Sequence, residues 1–218
     1  MLVHIISDSH GRHEELKIPD VDMVIHCGDC SNSFESRHNI SEIHNFMSWF
    51  DALDVKHKIY VPGNHDVVIE RNLINLSEYK TIKFLIHQET EIEGFRIFGS
   101  PFTPTFGNWS YMRNRNKLGE LWKQIPDDIQ ILITHGPANG ILDLAYDFST
   151  NEIVQTGCSS LYKRIISSKI QYHFFGHIHE SKKLHNNGIL HHKGKTFVNA
   201  ACLNHETGEI LQGHTIQI

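Results

Sequence analysis

The chain is poor in cysteine and proline, has no long hydrophobic run and carries no excess of positive charge. Its four cysteines, Cys27, Cys30, Cys158 and Cys202, are sparse and irregularly spaced over 218 residues, which argues against a disulfide framework. No apolar run approaches the roughly 20 residues that span a bilayer. The opening MLVHIISDSH lacks a basic stretch followed by an apolar run, so no secretory signal is read. A net charge of −5 provides no overall field to draw in long nucleic acid. Linker-like, repeated and low-complexity tracts are missing too. The expectation is therefore a single domain over residues 1–218, soluble and cytoplasmic, with neither a membrane nor long nucleic acid as partner. Oligomeric state leaves no signal in the sequence. Histidine, in contrast, is abundant: 18 residues offer a large supply of metal ligands.

Short apolar runs bounded by Gly, Pro or Asn recur along the chain and predict strands at Leu2–Ser7, Val21–Cys27, Lys58–Val61, Thr81–Ile86, Ile129–Thr134 and Tyr172–Phe175. Glu91–Phe98 reads as a hairpin turning near Gly94. Further strands are expected at Lys182–Leu184, Ile189–His192, Thr196–Asn199 and Ile210–Ile218. In SEIHNFMSWFDAL, Ile43, Phe46, Met47 and Phe50 share one helical face, with Ser41 or Asn39 as the expected cap. Asn116–Ile125 and Ser159–Ile166 are two more predicted helices. Strand and helix alternate in the first half and hairpins fill the last third, which predicts an α/β chain of mixed sheets flanked by helices.

The chemistry lies where the strands stop. Leu2–Ser7 runs into Asp8-Ser9-His10-Gly11, and Val21–Cys27 into Gly28-Asp29. Lys58–Val61 runs into Pro62-Gly63-Asn64-His65-Asp66, Ile129–Thr134 into His135-Gly136, and Tyr172–Phe175 into Gly176-His177-Ile178-His179. In open α/β sheets the functional crevice lies beyond the carboxyl ends of the strands. Two aspartates, one asparagine and four histidines would thus converge as oxygen and nitrogen donors, a set suited to manganese, iron, zinc or nickel. Seven side chains fill two metal sites if one carboxylate is shared. Each motif alone is also what an ordinary strand-end turn looks like; the ordered recurrence of all five points to a site. A rival reading takes the thiols of Cys27-Gly28-Asp29-Cys30 as a redox or zinc-binding pair.

With Asp-x-His, Gly-Asp, Gly-Asn-His-Asp, a lone His and Gly-His-x-His all present in order, the chain resembles the calcineurin-like metallophosphoesterase superfamily. More narrowly it is similar to the MPPED branch, through FGSPFTPTFGNW, LWKQIP, ILITHGPANGILD, FFGHIHES and TFVNAACLN. The resemblance implies two mixed β-sheets packed as a sandwich between helices, with two divalent cations, manganese first and iron, zinc, nickel or cobalt as alternatives. Asp8, His10 and His179 would hold one ion, Asn64, His135 and His177 the other, and Asp29 both. His65 would stand at the leaving-group oxygen with Asp66 as its partner. The implied activity is hydrolysis of small phosphodiesters, cyclic nucleotides among them, by a water shared between the ions. A phosphomonoesterase and a non-catalytic scaffold are the alternatives. Arg113 and Arg115 read as a solvated loop rather than a phosphate grip, and Cys158 as a packing residue. His185, His191 and His192 read as structural or surface residues rather than part of the site rim.

Overall fold

The computed structural model describes residues 1–147, 149–181 and 184–218. Its strands are β1 (Leu2–Ile6), β2 (Met23–His26), β3 (His57–Tyr60), β4 (Ile82–Phe84), β5 (Gln88–Ile92), β6 (Phe95–Ser100), β7 (Thr103–Pro104), β8 (Met112–Arg113), β9 (Ile131–Thr134), β10 (Leu144–Asp147), β11 (Glu152–Gln155), β12 (Tyr172–Phe175), β13 (Gly188–His192), β14 (Lys195–Asn199) and β15 (His214–Gln217). The helices are α1 (Ser36–Ala52), α2 (Val67–Glu70), α3 (Arg115–Trp122) and α4 (Ser159–Ile166).

Strands that are apolar on both faces need cover on both. The first sheet, ordered β15-β1-β2-β3-β4, and the second, ordered β13-β14-β12-β9-β6-β5, provide it by stacking. Val3, Ile5, Met23, Ile25 and Ile59 of the first sheet meet Ile131, Ile133, Phe174 and Val198 of the second in a dry central layer. The alternate residues point outward. Ile6, Val24 and Tyr60 pack on Ile43, Phe46, Met47 and Phe50 of α1. Leu132, Phe175 and Phe197 pack on Leu118 and Trp122 of α3 and Leu161 and Ile165 of α4. The result is the expected sandwich between helices. β1 to β4 run parallel, as do β6, β9, β12 and β14, while β15, β13 and β5 are antiparallel edges. The parallel runs send the carboxyl ends of β1, β2, β3, β9 and β12 to one rim.

Several boundaries differ from the sequence reading, each for a local reason. α1 begins earlier, at Ser36, and neither Ser41 nor Asn39 caps it. Asn39 is buried inside the helix and serves the site loops instead. At the other end of α1, the Lys58 ammonium donates to the carbonyls of Asp51 and Leu53, both at 2.6 Å. The last strand starts only at His214 because Gly213, at φ +74°, turns against the Ile5 carbonyl. The β5–β6 turn is Glu93-Gly94, both at positive φ, the geometry that two-residue hairpin turns require. The strand expected at 182–184 falls largely outside the described residues. α2 and the β10–β11 hairpin were missed: the first is a single turn, and the second is half-exposed without an apolar run. Among the described residues no helix is long and apolar enough to cross a membrane.

Two buried histidines make the fold acid-sensitive. In His173 a ring nitrogen lies 2.8 Å from the Thr134 hydroxyl, which itself donates to the Gly136 carbonyl, so that nitrogen carries the proton. Nδ1 has no partner, and burial pushes the group down to about 3. Burial, aided by nearby His214, holds His4 at about 4. Both sit below the ordinary value of 6.5, so the unfolded chain takes up the protons first. Stability is therefore full above pH 6.5 and falls as pH drops toward 4, with a slope of about 1.4 kcal/mol per pH unit for each such histidine. Urea melts between pH 7 and 4 check this. A flat unfolding free energy for the wild-type chain, or an unaltered slope in His173→Phe, would contradict it.

Candidate metal centre

The rim where the five strands end is built from tight loops. Asp8, His10, Asp29 and His177 all adopt left-handed backbone conformations, with φ of 54°, 44°, 58° and 70°. Such positions cost about 1–2 kcal/mol for a residue with a side chain and cluster where geometry serves function. Glycines supply the room. At Gly28 (φ +105°) an added Cβ would lie 2.5 Å from the Gly63 nitrogen and 2.7 Å from His135 Nδ1. At Gly176 it would lie 2.0 Å from Asp8 Oδ2.

Two donor groups form across the sandwich. Asp8, His10 and His179 present one ligand atom each within 4.8 Å of one another, and so do Asp29, His135 and His177. A third such set, His10, Asp29 and His65, shows that Asp29 also reaches the first group. Asn64 Oδ1 joins the second group, 2.9 Å from His135 Nε2. All seven residues singled out in the sequence as ligands thus meet in one place, together with His65.

The donor atoms fit cations. An imidazole nitrogen beside a carbonyl can only donate. His10 Nδ1 therefore gives its proton to the Ser31 carbonyl at 3.1 Å, and His135 Nδ1 to the Cys27 carbonyl at 2.8 Å. Each Nε2 is left with its lone pair turned inward, as carbonyl-oriented metal-binding histidines require. His135 Nε2 faces Asn64 Oδ1 and, at 3.2 Å, Asp29 Oδ2, so the inward nitrogen meets two oxygen acceptors and calls for a proton or a metal ion between them. His179 Nε2 lies 3.1 Å from Asp8 Oδ1 and 3.4 Å from His10 Nε2. Positive charge is what these convergences draw in, a proton on His135 where no metal ion sits. Burial opposes protonation of His135, yet the Asp29 carboxylate lifts it to about 9. Burial pushes the Asp8 carboxyl up, and His179, His135 and His10 together carry it well below the usual range. Asp29 is also held low, chiefly by His135 against its burial.

The supporting contacts correct one expectation. Asp66 is not the partner of His65. Its carboxylate turns inward, fully buried, and accepts from the backbone N–H of Asp29 (2.9 Å) and Gly63 (2.7 Å) and from the Tyr60 hydroxyl (2.6 Å). It fastens the second and third strand-end loops to each other. His65 Nδ1 instead donates to the Asn32 carbonyl at 3.2 Å, and the His65 backbone N–H donates to Asp29 Oδ1 at 2.7 Å. Asn39 adds a tie missed in the sequence: its amide donates to the Ser31 hydroxyl and the Ser33 and His65 carbonyls, and its oxygen accepts from Val68 N–H. An asparagine in the first turn of a helix reads as a cap, and only its place on the otherwise apolar face of α1 hints at this role.

The remaining candidates settle away from the donor groups. Arg113 pairs with Glu70 at 3.3 Å and lies over Phe102. Arg115 donates to the carbonyls of Gly157 and Thr156. All four cysteines are buried and free. Burial, reinforced by Asp66, pushes the Cys30 thiol well above its ordinary value, and the thiol sits 3.4 Å from Asp66 Oδ1 beneath the site. Burial likewise raises Cys27. Both thiols are therefore disfavoured as thiolates, which weighs against the redox or zinc-thiolate reading. Cys158 accepts from the Trp122 indole at 3.3 Å in the outer core. The rim also gains residues outside the five strand-end motifs: Phe106, Trp109, Leu203 and His205 line the same cavity of about 390 Å³, and the His205 ring lies 4.0 Å from that of His179.

Fold and site together define a metallophosphoesterase-type sandwich with paired donor groups at the strand ends. The profile of the calcineurin-like phosphoesterases, a family dependent on two metal ions, matches residues 1–181, and the chain belongs to that family. Metallophosphoesterase domain-containing protein 1 of Homo sapiens is 30% identical over 223 residues, covering 90% of this chain and 64% of the relative's length. The UPF0046 protein C25E10.12 of Caenorhabditis elegans is 33% identical over 222 residues, covering 92% and 75%. Among solved structures, TT1561 of Thermus thermophilus shares the fold with a TM-score of 0.59 at 15% identity, over 93% of this chain and 91% of that one.

Proposed function

We propose that the chain is a phosphoric-ester hydrolase that uses two divalent cations, manganese first, and acts on small phosphodiesters such as cyclic nucleotides. The observation that supports it above all is Asp29, which lies within reach of both donor groups. Bound there, two cations would neutralise charge on the phosphoryl oxygens and bring the pKa of a water near neutrality. Asp8, His10 and His179 would hold one, Asn64, His135 and His177 the other, and Asp29 both. The oxygen and nitrogen donors equally accept iron, zinc, nickel or cobalt. The carbonyls of Ser31 and Cys27 fix the rings of His10 and His135, so their lone pairs are aimed before any ligand arrives. His65 is held by Asn32 at Nδ1, which leaves Nε2 as the atom that hands a proton to the departing oxygen. The buried, unpaired thiols support a reducing compartment, the cytoplasm.

The chain, stripped of metal and reloaded with manganese, is to be assayed on bis(p-nitrophenyl) phosphate, p-nitrophenyl phosphate and the 3′,5′- and 2′,3′-cyclic nucleotides. Diester hydrolysis is expected. Preference for the monoester would shift the assignment to a phosphomonoesterase, and inactivity with every metal and ester would leave a scaffold. His65→Ala should keep its metal and lose about 10²–10⁴-fold on esters with poor leaving groups, with little change for p-nitrophenolate, which needs no proton. A rate loss independent of leaving-group pKa would take His65 out of the proton transfer.

A further inference from the structure

A second cavity of about 450 Å³ adjoins the one that holds the donor groups, and Trp109 lines both. Its other walls are Phe34, Val67, Glu70, Arg71, Asn108 and Ser110. The volume suits a small-molecule site. Phe34 is 49% exposed, although it is a large apolar side chain. Its ring stands 4.0 Å from Trp109 and 4.7 Å from His65, and Trp109 stands 4.6 Å from His65. The two rings stand edge to face, at 74° to each other, and both flank the one imidazole assigned to the leaving group. Glu70 is committed to Arg113. Arg71 has the Ser36 hydroxyl as its partner, at 3.1 Å, and no carboxylate pairs with it among the described residues. The Ser110 backbone N–H donates to the Asn64 carbonyl at 3.3 Å, so the loop carrying Trp109 is tied to the loop carrying His65.

We propose that this second cavity is the subsite for the leaving group, and that it takes a nucleoside bearing a phosphate: the base stacks on Trp109, with the Phe34 ring standing nearly perpendicular beside it, and Arg71 binds the phosphate. The proposal rests on the phosphodiesterase reading above and narrows it toward short linear diesters. His65 marks the side of the phosphorus from which the leaving oxygen departs, and the space beyond His65 is this cavity. Aromatic faces accept any base by stacking, and a guanidinium matches a phosphate with paired, charge-assisted hydrogen bonds. In the reaction the water oxygen bonds to phosphorus, the P–O5′ bond breaks with its electron pair on O5′, O5′ takes the proton of His65 Nε2, and the proton of the water passes to solvent. From the dinucleotide ApAp the departing product is adenosine 3′-phosphate.

The test separates binding from chemistry. Titration calorimetry on the metal-free chain is expected to show adenosine 3′-phosphate binding at least tenfold more tightly than adenosine. Arg71→Gln should erase that ratio, and Trp109→Ala should weaken both ligands about tenfold. With manganese, ApAp should be cleaved with a kcat/KM at least tenfold above that of ApA, and Arg71→Gln should collapse the preference. Equal affinity for the two ligands, or a preference that survives Arg71→Gln, overturns the subsite. So does an enzyme that hydrolyses bis(p-nitrophenyl) phosphate and neither dinucleotide. Inactivity toward all esters, with the binding pattern intact, refutes the phosphodiesterase reading and leaves the nucleotide-binding cavity standing.

Discussion

Asp29→Asn is expected to leave a folded chain that holds neither cation firmly and turns over no diester. The side chain keeps its size, and its oxygen can still accept the His65 backbone N–H. What disappears is the one charge that both donor groups share. His135 loses the neighbour that does most to lift it against its burial and takes up a proton less readily. The amide also sets an N–H donor or a neutral oxygen where Asp29 Oδ2 now lies 3.2 Å from His135 Nε2. Losing several kcal/mol of transition-state charge stabilisation corresponds to about 10³-fold or more in kcat/KM. Metal content after dialysis, read beside the diesterase rate in manganese, decides it. Two retained ions with an undiminished rate would show that Asp29 does not bridge.

Gly176→Ala probes the same centre from the backbone. A methyl group there would lie 2.0 Å from Asp8 Oδ2 and 2.1 Å from the Ser7 hydroxyl, distances that no real contact shows. Asp8 cannot simply swing away, since that same oxygen accepts the His177 N–H at 2.8 Å. Either the carboxylate or the loop carrying His177 and His179 has to move, and both belong to the donor groups. Overpacking of this kind costs about 1–3 kcal/mol. The expected variant is folded, less stable by about that amount, and depleted of the ion held by Asp8, His10 and His179. Gly119→Ala is the matched control: its nearest atom would be Ser160 Cβ at 3.8 Å inside a helix, and stability should hold or rise. If Gly176→Ala matches Gly119→Ala in metal content and melting, the close approach is not what shapes the site.

The sequence carried the strand ends well because two signals coincide there. An apolar run must stop where the chain leaves the sheet, and the residues that follow are polar for a reason of their own. Asp8, Asp29, Asn64, His135 and His177 could all be read this way, whereas the assignment of Ile5 and Ile6 to different layers came only with the fold. What resisted was support that crosses the chain. The resemblance made Asp66 the partner of His65, but its side chain turns the other way to collect N–H groups from two loops. Asn39 looked like a cap because asparagine near a helix start usually is one. The second cavity draws Phe34, Arg71 and Trp109 from three separate loops, and no spacing rule joins them.

The left-handed conformations at Asp8, His10, Asp29 and His177 have a consequence for how such a chain changes over time. Glycine at any of the four would relieve a backbone cost of about 1–2 kcal/mol and remove a charged or bulky group from a crowded rim. The same side chains also hold the rim together, for Asp8 Oδ2 accepts the His177 N–H at 2.8 Å and Asp29 Oδ1 the His65 N–H at 2.7 Å. A glycine at either aspartate would exchange backbone strain for loosened loops, so drift at these two positions meets a cost in both directions.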